Sequence, residues 1–359
     1  MAAGSLKLVA YTDSTLVGGA EECFGNLLEY LGPHVEATVL GVDATVVETL
    51  AARRPGSGAV LVPPVRGKRD LRPIAAHVAA VRRLRPHVFH ASLRSTVACQ
   101  YGILAALVTP GVRTIAHEHS PIPVADPRQR RFKRLLSRRL GAHVAVGECS
   151  ARMTEEVVGL PAGSVRAIHN GVPDVAVEPE QLPGPRPIVG ALGRLSPEKG
   201  FDVFMGALRL LPAARGFLVG DGPERARLEG LAAELELGPR LTVTGRVPDS
   251  RRYIRAFDVL VVPSRFEGFP LVILEAMLAG VPVVASDVGS ISEAVREEET
   301  GFLVPPGDER ALAAALSRLL EDAELRRSLG ARARALALER FTAPVMARAF
   351  AALYAEVTR

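Results

Sequence analysis

The chain has 359 residues, 48% of them hydrophobic and 23% charged, and its 44 Lys and Arg against 39 Asp and Glu leave a formal charge of +5. At roughly 100 to 200 residues per domain this length predicts two or three domains, and the apolar content excludes wholesale disorder. No segment approaches the roughly 20 uninterrupted apolar residues that a bilayer helix needs. The apolar start, Leu6 to Tyr11, is too short for a signal-peptide core, so a cytoplasmic chain with its N-terminus intact is expected.

In the first half, strands are predicted at Leu6 to Tyr11, Val35 to Val42, Ala59 to Val62, Val88 to His90, Arg113 to His117 and His143 to Val146. Amphipathic stretches such as Ala20 to Leu31 and Pro73 to Leu84 lie between them, an alternation that reads as βαβ units and a parallel sheet. Residues 172–187 then carry five prolines in sixteen positions, which fits neither a helix interior nor a central strand and predicts a linker. After it the alternation restarts at Ile188 to Leu192, Gly216 to Val219, Leu241 to Thr244, Val259 to Pro263, Val281 to Ser286 and Gly301 to Val304. Phe341 to Val357 reads as a terminal amphipathic helix. The expected fold is α/β, with two doubly wound parallel-sheet domains: 1–172, a linker at 173–187, 188–340, and a last helix at 341–359.

The three widely spaced cysteines, Cys23, Cys99 and Cys149, form no C-x-x-C pair, so buried reduced thiols are expected rather than disulfides or a zinc site. With no Trp and five Tyr the chain has little material for base stacking, and no nucleic-acid partner is expected.

Ligands of doubly wound sheets bind beyond the carboxyl ends of the strands. Three post-strand segments therefore stand out. Gly193 to Gly200, GRLSPEKG, puts Arg194 and Lys199 on one strand-to-helix loop, a combination suited to a pyrophosphate or to an ordinary exposed turn. Gly220-Asp221-Gly222 begins like a dinucleotide fingerprint, but Arg225 stands at the third glycine position. A ligand-approach turn and a purely structural turn both remain open there. In Pro263 to Glu275, PSRFEGFPLVILE, Pro270 is expected as a first-turn helix residue, with Glu267 in the preceding loop and Glu275 on the second turn. Those carboxylates can accept bonds from sugar or ribose hydroxyls, or simply cap and offset the helix dipole.

These segments, with Asn170-Gly171-Val172, ASDVGSISEAV (285–295) and TGFLVPPGD (300–308), resemble the retaining glycosyltransferases of family 4, the glycosyl transferases of group 1. The match extends over nearly the whole chain and is strongest from about residue 143 onward. The resemblance implies the GT-B fold: two facing Rossmann-like domains around a central cleft, with a C-terminal helix crossing back to the first. It implies that Arg194 and Lys199 bind the donor pyrophosphate and that Glu275 holds the ribose. Glu267 and the backbone of Gly268, Phe269, Pro270 and Leu271 would face the transferred sugar and phosphate, with Gly220, Arg246 and Val247 near the base. Gly18 and Gly19 match the family's glycine-rich loop, and Ala116 to Ser120 matches the place of a histidine near the donor sugar. His119 fits that place better and His117 is second; Glu118 and Asn170 are secondary candidates.

The implied function is metal-independent transfer from a nucleotide-diphosphate sugar, UDP-sugar favoured, to a hydroxyl on a sugar, small molecule or lipid-linked acceptor. No D-x-D motif is present, so no cofactor or divalent metal is expected, and Arg194 and Lys199 would take a metal's place. A GT-B epimerase, a phosphorylase and a non-catalytic nucleotide-sugar binding module are the alternatives. Finally, residues 128–139 hold seven basic and no acidic side chains around Phe132, Leu135 and Leu136. Such a helix can lie on an anionic membrane at the inner face, or it can be a solvated face packed on its own sheet.

Overall fold

A computed structural model describes residues 5–359, which form two units: residues up to Pro173 together with Ala343–Arg359, and Asp174–Thr342.

In the first unit, strands β1 (Leu6–Thr12), β2 (Val35–Gly41), β3 (Gly58–Leu61), β4 (Val88–Leu93), β5 (Arg113–Glu118), β6 (Ala142–Ala145) and β7 (Arg166–Ala167) build one sheet, ordered β3-β2-β1-β4-β5-β6-β7. Every pairing is parallel. Helices α1 (Gly19–Tyr30), α2 (Ala44–Ala52), α3 (Leu71–Leu84), α4 (Gln100–Leu107), α5 (Pro127–Ser137) and α6 (Glu148–Val158) each follow one of the first six strands. Parallel strands covered on both faces read as continuous apolar runs. β4 is accordingly buried along its whole length. The two-residue β7 carries no periodicity and was not expected from the sequence.

In the second unit, β8 (Ile188–Leu192), β9 (Arg215–Val219), β10 (Leu241–Gly245), β11 (Val259–Val262), β12 (Val283–Ser286) and β13 (Gly301–Val304) are also all parallel, ordered β10-β9-β8-β11-β12-β13. Its helices are α7 (Phe201–Arg209), α8 (Arg225–Glu234), α9 (Ser250–Ala256), α10 (Leu271–Ala279), α11 (Glu309–Glu321) and α12 (Ala323–Arg340). The Pro-rich stretch from 174 to 187 belongs to this unit rather than hanging free. Glu180 N–H donates to Arg252 O at 2.9 Å, and Arg186 Nη1 meets Asp258 Oδ1 at 2.7 Å.

The last helix, α13 (Ala343–Val357), is part of the first unit. Ala343 N–H donates to Val172 O at 2.9 Å, and Phe350 and Tyr354 are buried against the His90 ring. No described helix is long and apolar enough to cross a membrane.

Each sheet reverses its winding once. The order turns between β1 and β4 in the first unit and between β8 and β11 in the second. Loops leaving those strands flank the crevice in which such sheets bind ligands.

Candidate active site

In the second unit the two loops at the switch point are residues 193–200, after β8, and 263–270, after β11. Lys199 ends the 3-10 turn Pro197–Lys199, and its Nζ lies 2.5 Å from Glu267 Oε1. Ser264 Oγ donates to the same carboxylate oxygen at 2.9 Å. Neither partner is sealed from solvent, so an arriving anion can compete for the ammonium. Gly200 sits at φ +63°, and a Cβ there would meet Pro263 O at 2.1 Å, so the loops touch backbone to backbone. Arg194 is exposed. Glu198 feels its charge: burial works to raise that carboxyl, but the Ser196 hydroxyl, then Lys199 and Arg194, outweigh burial and hold it low.

α7 and α10 both begin at this switch point with no side-chain cap on Gly200 or Pro270, although the Gly200 carbonyl accepts from Val203 N–H at 3.0 Å and the Pro270 carbonyl from Ile273 N–H at 3.3 Å. Pro270 itself is the extended N-cap residue, with φ −70° and ψ 129°, and Leu271 rather than Pro270 opens the helix. Gly268, Phe269 and Pro270 are buried, Leu271 is half-buried, and Glu275 is half-buried on the second turn.

In the G-x-G turn after β9 close backbone packing requires both glycines. A Cβ on Gly220 (φ +142°) would lie 1.9 Å from Gly193 O, and one on Gly222 would lie 2.4 Å from Leu195 O. The space a side chain would take is filled by the β8 loop, zipped on by Leu195 N–H to Asp221 O at 3.0 Å and Glu224 N–H to Leu195 O at 2.9 Å. Gly220 also bonds Gly245 O at 3.0 Å, next to exposed Arg246 and half-buried Val247.

Gly18 and Gly19 differ from that pair. Gly18 is an extended N-cap to α1, and a Cβ on Gly19 would meet nothing within 4 Å. Glu21 Oε2 holds the loop by accepting from Gly18 N–H at 3.1 Å. Asn170 Oδ1 accepts from Cys23 Sγ at 3.0 Å, the thiol being pushed up to about 12 by burial.

The two histidines separate by access, His119 being 7% exposed and His117 1%. His119 Nε2 shares a 3.1 Å hydrogen bond with Ser92 Oγ, and burial pushes its imidazole down to about 4 despite the neighbouring Glu118. Both ring nitrogens of His117 are buried without a partner, and burial, then His119 and His90, drives it well below the usual range. Glu118 points elsewhere: its Oε1 takes Lys133 Nζ at 2.5 Å and His143 Nε2 at 3.0 Å.

That contact also takes one basic side chain of α5 out of solvent. Lys133 is buried, and Arg130 and Arg134 are spent on the Glu156 and Val158 carbonyls of α6. Arg128, Arg131, Arg138 and Arg139 remain exposed, with Leu135 among them.

Residues 17–175 match the family described as Glycosyltransferase Family 4, and residues 175–336 match Glycosyl transferases group 1. The chain belongs to the family 4, group 1 glycosyltransferases. It is 34% identical over 262 residues, 71% of this chain and 27% of the relative, to the exopolysaccharide phosphotransferase SCO2592 of Streptomyces coelicolor. It is also 34% identical to the alpha-D-kanosaminyltransferase of Streptomyces kanamyceticus, over 48% of this chain and 46% of that one. The matches thus span about a quarter to about half the length of these curated relatives. The crystal structure of Anabaena Alr3699/HepE in complex with UDP-glucose shares the GT-B fold, with a TM-score of 0.84 at 23% identity over 98% of this chain and 100% of that one.

Within this family 4 chain the structure joins Lys199 to Glu267 and Gly220 to the 193–195 backbone. Gly18, Gly19, His117, His119 and Asn170 belong to the first unit. Three partners escaped the sequence reading: Ser264, which steadies Glu267, and the fork of Arg265 on Asp202, at 2.8 Å for both bonds. Arg265 and Asp202 are 63 residues apart and leave no local pattern, and Ser264, three residues before Glu267, belongs to no chemical motif. Among the described residues no three His, Cys, Asp or Glu side chains converge as metal ligands.

Proposed function

We propose that this chain is a retaining glycosyltransferase that moves a sugar from a nucleoside-diphosphate donor, a UDP-sugar in the favoured reading, to an acceptor hydroxyl without a divalent metal. The observation that carries the reading is the Lys199–Glu267 contact at a sheet switch point, flanked by two uncapped helix N-termini.

Breaking the bond from the anomeric carbon to the phosphate oxygen leaves negative charge on the departing diphosphate. Lys199, Arg194 and the first-turn N–H groups stabilise that charge where it grows. The acceptor oxygen bonds to the anomeric carbon on the same face, and its proton passes to the leaving phosphate oxygen, so no protein base is consumed. Glu267 and the Gly268 to Leu271 backbone meet the sugar and phosphate, Glu275 takes the ribose hydroxyls, and Gly220 with Arg246 and Val247 borders the base. Neutral His119 offers one hydrogen bond to a sugar hydroxyl.

The acceptor is a sugar, a small molecule or a lipid-linked hydroxyl. For the lipid-linked case, the exposed α5 arginines would hold a cytoplasmic protein peripherally at an anionic inner leaflet. Release of UDP from UDP-sugars tests the whole reading. Lys199→Ala and Glu275→Ala are expected to lose most turnover while staying folded; near-wild-type turnover in either overturns it.

A further inference from the structure

Arg265 stands two residues before Glu267 and makes four hydrogen bonds, two to the neighbouring loop and two to the first turn of α7. Its backbone N–H donates to Glu198 O at 2.8 Å and its Nη1 to Pro197 O at 3.1 Å. The guanidinium fork meets Asp202 Oδ1 and Oδ2 at 2.8 Å each. Pro197 is the first residue of the turn that Lys199 ends, and its carbonyl also accepts from Gly200 N–H at 3.3 Å. Asp202 lies in the first turn of α7, where the helix dipole favours a carboxylate.

Arg265 therefore grips the Lys199 turn from both sides, at Pro197 before it and at Asp202 after it. Stability alone does not explain the arrangement. The two side chains are 43% and 26% exposed, and pairs in that setting contribute at most about 1 kcal/mol. What the fork supplies is geometry, because a planar guanidinium fixes a carboxylate and a carbonyl at once, whereas an ammonium is a point charge. Lys199 ends this clamped turn and its Nζ meets Glu267, so the place of the turn sets where the ammonium is anchored.

We propose that Arg265 is a positioning residue: bridging Pro197 and Asp202, it fixes the turn that presents the Lys199 ammonium to the donor diphosphate. The inference rests on the donor role proposed above for Lys199. Calorimetric titration of the full chain with UDP tests it, comparing wild type, Arg265→Ala, Arg265→Lys, Lys199→Ala and the Arg265→Ala/Lys199→Ala double variant. Thermal unfolding of each confirms that it is folded at the titration temperature.

Arg265→Ala is expected to weaken UDP about tenfold, the size of a lost charge-assisted hydrogen bond. Arg265→Lys recovers little of that, since one ammonium cannot span Pro197 and the carboxylate together. In the Lys199→Ala background, Arg265→Ala adds about twofold or less, because its effect passes through the missing ammonium. Wild-type affinity in Arg265→Ala, full recovery by Arg265→Lys, or losses that multiply in the double variant each overturn the positioning role while leaving the donor site standing. Unchanged UDP affinity in Lys199→Ala overturns the donor site itself, and this inference with it.

Discussion

The Lys133 ammonium lies 2.5 Å from the Glu118 carboxylate with both side chains buried, joining a helix that looks purely basic in sequence to the end of a central strand. Burial works to raise the Glu118 carboxyl, yet Lys133 and the hydrogen bond from His143 outweigh it and keep the group ionised. Removing one member leaves the other charge buried and alone. Lys133→Ala is expected to destabilise the first unit by about 3 to 5 kcal/mol in denaturant unfolding, while Lys133→Met with Glu118→Gln recovers most of it. An unaltered midpoint in the single variant would contradict the pair.

Acid is the second lever. His90, pushed down to about 3, His119, at about 4, and His117 are all depressed mainly by burial from a normal value of 6.5. The native state then binds fewer protons than the unfolded chain, so stability is complete above pH 6.5 and falls as pH drops towards the native values. His90 and His119 each cost about 2 kcal/mol by pH 5, and His117 works in the same direction. Near-neutral and acidic denaturant curves are expected to show this steep loss; a flat profile between pH 7 and 5 would refute neutral burial.

Glycine substitutions should divide cleanly. Gly220→Ala forces a Cβ to 1.9 Å from Gly193 O at φ +142°, so it is expected to lower Tm by several degrees and to disturb the Arg194 loop. Gly19→Ala points into open space and is expected to leave Tm unchanged. Any fall in its transfer rate would then report on ligand room at the α1 start.

Nucleotide preference can be read by thermal shift. A ligand that binds only the native state at 100 times its Kd adds about 2.7 kcal/mol, so UDP, GDP, dTDP and ADP at equal concentration should rank by affinity. UDP is expected to raise Tm most. A larger shift with another base would reassign the donor.

Co-sedimentation with anionic vesicles at low and high salt separates the two roles of α5. Association at low salt that is lost in an Arg128→Glu/Arg131→Glu variant supports a membrane face. No association at low salt assigns these arginines to solvation alone.

Much of this protein was legible in its sequence because period and punctuation are local. Apolar runs such as Val259 to Val262 mark central strands, and the loops carrying Lys199 and Glu267 follow them directly. What stayed hidden depends on partners far along the chain. Lys133 reads as one more surface charge until Glu118 is beside it, and why position 220 must be glycine is visible only once the Gly193 carbonyl lies against it. Arg265 and Asp202 carry no motif of their own; only the adjacency of β8 and β11 brings them together.

The seat of α13 bears on how the protein is made. Phe350 and Tyr354 close the face formed by Phe24, His90 and His117, yet they come more than 200 residues later in the chain. A ribosome delivers the uninterrupted Asp174–Thr342 unit before that closing helix. The unit begun first is therefore finished last, and until residues 343–357 emerge its aromatic face waits uncovered.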